Sequence, residues 1–219
     1  MITVKPEITI ISNNNYEEML KKIERIGRVC YKSEGRIGEG TAEKFIKSII
    51  SRGHESVIEH ESITVLVTCD RGVTHEIVRH RLASYSQEST RYCNYVNDKF
   101  DNQISCIDIA TGFKYDLTDE KDAKKYEIWL RAMKEAEKYY FELIEAGAKP
   151  EEARSVLPNS LKTDLMMTMN LREWRHFFRL RTGKRAHPQI VEVSRMILDK
   201  FIEKYPLFFE DLADNAAND

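Results

Sequence analysis

The chain has 219 residues, 42% hydrophobic and 32% charged, the composition of a globular protein and not of a disordered one. A net charge of -2 gives no global basic field for nucleic acid, and no stretch approaches the ~18 apolar residues that a membrane span needs. Length predicts one domain over residues 1–219. The opening MITVKPEITIIS lacks the basic-then-apolar layout of a signal peptide, so we expect a first strand there and a cytoplasmic protein. Cys30, Cys69, Cys93 and Cys106 form no C-x-x-C pair and are expected to be reduced thiols, mostly buried.

In chain order, Met19, Leu20, Ile23, Ile26 and Val29 recur at helical spacing and predict a helix from Tyr16 to Tyr31. Thr41 is expected to cap a second helix that runs to about Ser51 and stops at Gly53. Glu61 to Thr68 is rich in β-branched residues and predicts a strand. Asp70 can cap a helix from about Gly72 to Arg81. The pattern between Asn94 and Lys114 is mixed, with a strand expected at Ile104 to Ala110. A long helix starts at Thr118 or Asp119 and ends near Gly147; its charged residues read as a solvated face. Pro150 opens a short helix that carries Arg154 and stops at Pro158. A strand from Ser160 to Met169, a helix from Leu171 to Leu180 and a helix from Pro188 to Lys204 complete the chain. This order predicts an α/β (α+β) domain, a central mixed sheet flanked by helices. No G-x-G-x-x-G fingerprint is present, so a Rossmann fold is not expected.

Two segments concentrate chemistry. Residues 79–92 read RHRLASYSQESTRY: a cationic triplet, then Ser84, Tyr85, Ser86, Gln87, Ser89 and Thr90, then Arg91. On a helix continuing through Arg81, Glu76 would share a face with Arg79 and His80, while Val78 and Leu82 would turn toward the core. Guanidinium forks followed by short donors are what a phosphate or nucleotide needs. A helix C-terminus also attracts arginines through its dipole, but that does not account for the donors that follow. The second segment carries Arg172, Arg175, Arg179, Arg181 and Arg185. At 100° per residue, Arg172, Arg175, His176 and Arg179 share one face, with Trp174, Phe177 and Phe178 opposite. Arg181 would fall with the aromatic residues, a costly place for a cation unless something polar meets it.

R-H-R, seven residues, then Ser-x-Arg-Tyr resembles the signature of the flavin-dependent thymidylate synthases. His54-Glu55-Ser56, Arg154 in ARSVLP, and Asn170-x-Arg172 with His176 and Arg181 resemble further motifs of that family. The resemblance spans about residues 40 to 190. It implies a homotetramer with shared active sites and one FAD per site. It also implies methylation of dUMP, with 5,10-methylenetetrahydrofolate as carbon donor and NADPH as reductant. By the same resemblance, His54, Ser56, Arg79, His80, Arg81, Gln87, Asn170, Arg172 and His176 contact FAD. Glu76, Arg79, Gln87, Ser89, Thr90, Arg91, Arg154 and Arg181 hold dUMP, and Arg181 stabilises negative charge on the uracil edge as the catalytic residue.

Other thymidylate synthases activate uracil by adding a cysteine to C6. Cys93 lies beside the motif without a helix N-terminus or paired His to lower its pKa, and is expected to be structural. Ser89 has no adjacent base in the sequence and is read as a binding group. No Cys/His set has zinc spacing, so no metal is expected. The alternative is a non-catalytic protein that binds nucleotides or stacks single-stranded bases on Tyr85, Tyr92, Tyr95, Trp174 and Phe178. The net charge argues against nucleic acid as a partner.

Overall fold

The computed structural model describes residues 1–96 and 100–216, so part of the mixed 94–114 stretch lies outside the described residues. The single N-terminal strand expected from the sequence is two strands. β1 (Ile2–Val4) and β2 (Glu7–Ile10) flank Pro6, which has no N–H to give a ladder. α1 (Tyr16–Cys30) starts at Asn15, whose side chain accepts from the Glu18 N–H at 3.1 Å. α2 (Thr41–Ser51) is not capped by Thr41 as expected. Gly40 takes that position at φ 66, and the Thr41 hydroxyl lies 3.0 Å from the buried Glu24 carboxylate. A 3-10 turn (Glu55–His60) leads into β3 (Ser62–Asp70).

Asp70 caps α3 (Arg71–Ile77), accepting from the Val73 N–H at 2.7 Å. The helix ends at Ile77, four residues short of the expected Arg81, and the loop expected after it is instead β4 (Ala83–Gln87). Strand pairing overrides the local helical pattern here: Ala83 to Gln87 align with Met169 to Leu165. Val78 and Leu82, expected in the core, are exposed.

β5 (Ser105–Ile107), α4 (Ile109–Phe113) and the long α5 (Glu120–Glu145) follow. α6 (Pro150–Ala153) then passes through a 3-10 turn (Arg154–Val156) to β6 (Lys162–Asn170). α7 (Leu171–Arg181), α8 (Pro188–Lys204) and α9 (Pro206–Phe209) close the fold. Parallel and antiparallel pairings coexist, in keeping with the mixed expectation. β2–β3–β6–β4 form an antiparallel sheet, β1 pairs with β5 in parallel, and a bridge from Cys106 to Leu161 links the two.

The β3–β6 pair sets the core. Ile63, Val65, Val67 and Cys69 of β3 alternate inward with Leu165, Met167 and Met169 of β6. They pack with Trp174, Phe177 and Phe178 of α7 and with Phe201 of α8 in one buried cluster. The opposite face is polar: Thr64 and Thr168 hydroxyls lie 2.8 Å apart, and Thr68 donates to Asp164. A second cluster around Tyr140, Ile104 and Leu161 packs beneath α5. Among the described residues, no helix is long and apolar enough to cross a membrane.

Candidate active site

The R-H-R triplet sits in the turn between α3 and β4. The Tyr85 hydroxyl pins that turn, lying 2.8 Å from the His80 carbonyl and 2.9 Å from that of Ile77. Arg79 and Arg81 are exposed, and the ring of His80 between them is buried. Among the described residues, neither Arg79 nor Arg81 makes a side-chain hydrogen bond or ion pair.

His80 meets Arg181, the last residue of α7. Arg181 donates from Nε to His80 Nε2 at 3.1 Å, from Nη1 to Glu76 Oε2 at 2.9 Å, and from Nη2 to the Glu76 carbonyl at 3.2 Å. Helix α7 therefore runs one residue past the expected Leu180, and Arg181 is held against α3. A guanidinium has five N–H donors and no acceptor, so this clamp leaves two N–H groups for a ligand.

The clamp also fixes the histidine tautomer. Arginine can only donate, so His80 Nε2 carries a lone pair and Nδ1 carries the proton. Nδ1 lies 3.4 Å from Glu173 Oε1. Burial, then the Arg181 and His176 charges, push the His80 pKa down to about 4, so the ring is neutral at pH 7. Burial raises the Glu173 carboxyl, with His176 opposing. Glu173 escaped the sequence reading, although its place three residues after Asn170 was a signal: the Asn170 side chain caps α7 by accepting from the Glu173 N–H at 2.9 Å.

His80, Glu173 and His176 place donor atoms within 4.8 Å of one another, close enough for one cation. Sequence spacing missed this set because it joins two distant segments. The Arg181 guanidinium against the His80 ring repels a cation there.

Beside this chain lies an open cavity of about 510 Å³ lined by Asn170, Arg172, Glu173, His176, Arg179 and Leu82, with Glu55 and Glu59 at its other wall. Arg172 pairs with Glu59 at 2.5 Å. The helical wheel placed Arg175 on the same face, but it is 1% exposed. It is held by Glu55 at 2.9 Å and by Asp211 at 2.7 and 2.6 Å, and it props the 3-10 turn (Glu210–Ala216) against α7. Burial pushes Glu55 up, but hydrogen bonds from Arg179 and Arg175 outweigh it and hold the carboxyl below the usual range. Ser56 is exposed one residue along.

A second group of predicted residues assembles at the far end of β4. The Gln87 amide donates to Thr74 of α3 at 3.1 Å and to Thr163 of β6 at 3.3 Å. Ser89 starts a turn in which its Oγ accepts from the Arg91 N–H at 3.4 Å. Buried Thr90 accepts from Arg154 at 3.4 Å, and Arg91 lies 3.7 Å from Glu151 of α6. Gln87 thus ties this loop to α3, the helix that carries Glu76. His54 stands apart: its Nδ1 lies 2.8 Å from the Tyr31 hydroxyl, and it lines a different depression from His176.

The family model described as thymidylate synthase complementing protein matches residues 10–207. The chain belongs to the flavin-dependent thymidylate synthases. A flavin-dependent thymidylate synthase of Pyrococcus furiosus is 40% identical over 170 residues, covering 77% of this chain and 66% of that one, just under two thirds. One of Geobacter sulfurreducens is 36% identical over 181 residues, covering 78% of this chain and 73% of the relative. A crystal structure of a UMP/dUMP methylase, PolB of Streptomyces cacaoi, bound with 5-Br dUMP, shares the fold. Its TM-score is 0.76 at 23% identity, covering 96% of each chain. The family assignment agrees with an architecture that has no Rossmann unit: the four-stranded sheet is antiparallel throughout.

Proposed function

We propose that the protein converts dUMP to dTMP, with methylenetetrahydrofolate as carbon donor and NADPH as the source of reducing equivalents. The observation that carries this reading is the Arg181 clamp, a part-buried cation oriented by Glu76 and neutral His80, with two N–H groups still available. When bound, FAD supplies the hydride, as the flavin dependence of the family requires. The cavity beside α7 fits a flavin: Leu82, 74% exposed, offers apolar contact, and Arg172, His176 and the Asn170 amide offer donors. Arg79, Arg81 and His54 would hold the remainder of FAD, with Ser56 and Gln87.

Uracil C5 is a weak nucleophile. Burial raises the Cys69 thiol far above neutrality and pushes Cys106 up to about 12, so neither supplies a thiolate. The Ser89 hydroxyl has no hydrogen-bonded base among the described residues. In this reading Arg181 activates the base electrostatically: its remaining N–H groups meet charge developing on the N3–O4 side of the pyrimidine. Gln87, Ser89, Thr90, Arg91 and Arg154 bind the nucleotide, with Arg79 and Glu76 at its other end. Arg79 and Arg81, without partners among the described residues, and His54, lining a different depression from His176, support a homotetramer in which subunits complete one another's sites. We place the enzyme in the cytoplasm.

The test is incubation with dUMP, methylenetetrahydrofolate and NADPH, with and without FAD, and with UMP in parallel. FAD-dependent dTMP with tetrahydrofolate as co-product is expected. Folded, FAD-binding protein that makes no dTMP would sink the reaction and leave a nucleotide-binding flavoprotein.

A further inference from the structure

Glu173 has no role in the reaction proposed above. It stands in the first turn of α7, where the helix dipole favours an acid. The dipole accounts for the charge but not for the burial, since Glu173 is only 7% exposed. A buried carboxylate is costly unless a cation or a hydrogen-bond donor meets it. The other two carboxylates of the α7 cavity are taken by guanidinium groups, Glu59 by Arg172 and Glu55 by Arg175 and Arg179. Among the described residues, Glu173 pairs with no arginine or lysine, and its carboxylate meets Nδ1 of His80 at 3.4 Å. An acid at this helical position commonly returns to the N-cap N–H. Here the Asn170 side chain takes the Glu173 N–H, and the carboxylate turns to His80 instead.

His80 needs such a partner because packing cannot choose its orientation. The buried ring lies edge to face with Phe177 at 4.9 Å and with His176 at 5.7 Å. These contacts fix the plane of the imidazole. A half-turn of the ring keeps that plane and nearly the same volume, yet exchanges nitrogen for carbon at both edges. Moving the proton from Nδ1 to Nε2 changes the shape still less, and it would set one N–H against the Nε–H of Arg181. Arg181 selects against that proton from one side of the ring. Glu173 selects for the Nδ1 proton from the other. The remaining titratable groups that face Glu173 do not compete for this contact. His176, on the next turn, is exposed, and the Tyr85 hydroxyl from β4 is spent on the Ile77 and His80 carbonyls.

We propose that Glu173 is a positioning residue for the reaction given above: it holds the His80 proton on Nδ1, turns the Nε2 lone pair to Arg181, and so aims the two free guanidinium N–H groups. In this role it touches neither nucleotide nor flavin, and it acts only through His80 and Arg181.

The test compares the FAD-loaded wild type with Glu173→Gln and Glu173→Leu. NMR of protein carrying isotope-labelled histidine distinguishes the two neutral tautomers, and His80→Gln identifies the His80 signals. The wild type is expected to show the Nδ1–H form at pH 7. Glu173→Gln, whose amide oxygen still accepts, should keep that form, with kcat within about threefold of the wild type. Glu173→Leu, of similar volume and without an acceptor, should populate the Nε2–H form and lose about tenfold in kcat, with a smaller change in dUMP affinity. A role in folding alone would lower the melting temperature of Glu173→Leu and leave the tautomer unchanged, and that result overturns the proposal. Equal losses of kcat in the two variants overturn it as well. The tautomer is read on the resting flavoprotein, so the two readings fail separately. The Nε2–H form in a wild type that makes dTMP removes the role of Glu173 alone; no dTMP from folded wild type removes the reaction and the role with it.

Discussion

The segment from Arg79 to Arg91 and helix α7 are similarly rich in arginine, yet the chain treats them differently. In α7 every arginine is held from within: Arg172 by Glu59, Arg175 by Glu55 and Asp211, Arg179 by Glu55, Arg181 by Glu76 and His80. In the other segment, among the described residues, Arg79 and Arg81 have no internal partner, and Arg91 meets Glu151 at 3.7 Å and lies over the exposed Tyr92 ring. Internal carboxylates turn an arginine into a structural strut or an oriented donor. Their absence leaves the full charge for a ligand. Counting arginines does not separate these roles; the partners do.

Substitutions can break this comparison, and the largest effect on stability should come from Arg175. Replacement by Ala leaves buried Glu55 with one cation fewer and frees the Asp211 turn, so urea denaturation should show a loss of about 3 kcal/mol. Arg79→Ala should shift stability by less than about 0.5 kcal/mol, because it removes no internal contact. If the two cost the same, the division between struts and ligand groups is wrong.

Arg181→Lys separates orientation from charge. An ammonium cannot reproduce the three-bond clamp, so kcat should fall by about 100-fold with little change in stability. Near-normal kcat would mean that positive charge alone suffices.

The histidine in the clamp gives a pH signature. His80 has its folded pKa lowered from an ordinary 6.5 to about 4, so the unfolded chain binds the proton more readily. Its contribution to stability is present in full above pH 6.5 and is lost as pH falls toward 4. Urea midpoints between pH 7 and 4.5 should fall more steeply for the wild type than for His80→Gln, which keeps an acceptor for Arg181 without titrating. Parallel slopes would remove His80 from the account. The smallest effect should be that of Cys93→Ala, with turnover within about twofold, since that half-buried thiol lies outside the residues given to the nucleotide and the flavin.

Local residues alone specified much of this protein. Asp70 caps α3, Pro188 opens α8, and the aromatic stripe of α7 faces the core, because caps, proline and helical periodicity act within a few residues. The R-H-R and Asn170-x-Arg172 motifs were likewise legible, as was the need of Arg181 for a polar group to meet it, which Glu76 and His80 supply. The tertiary structure decided where those residues meet. It ended α3 at Ile77, because β4 finds a partner in β6, nearly eighty residues later. It buried Arg175 against Glu55 and Asp211, which no helical wheel contains. It also brought Glu173 to His80 and His80 to Arg181, fixing a tautomer through contacts between α7 and the turn after α3. Those contacts span about a hundred residues, and a sequence pattern read within one element cannot carry them.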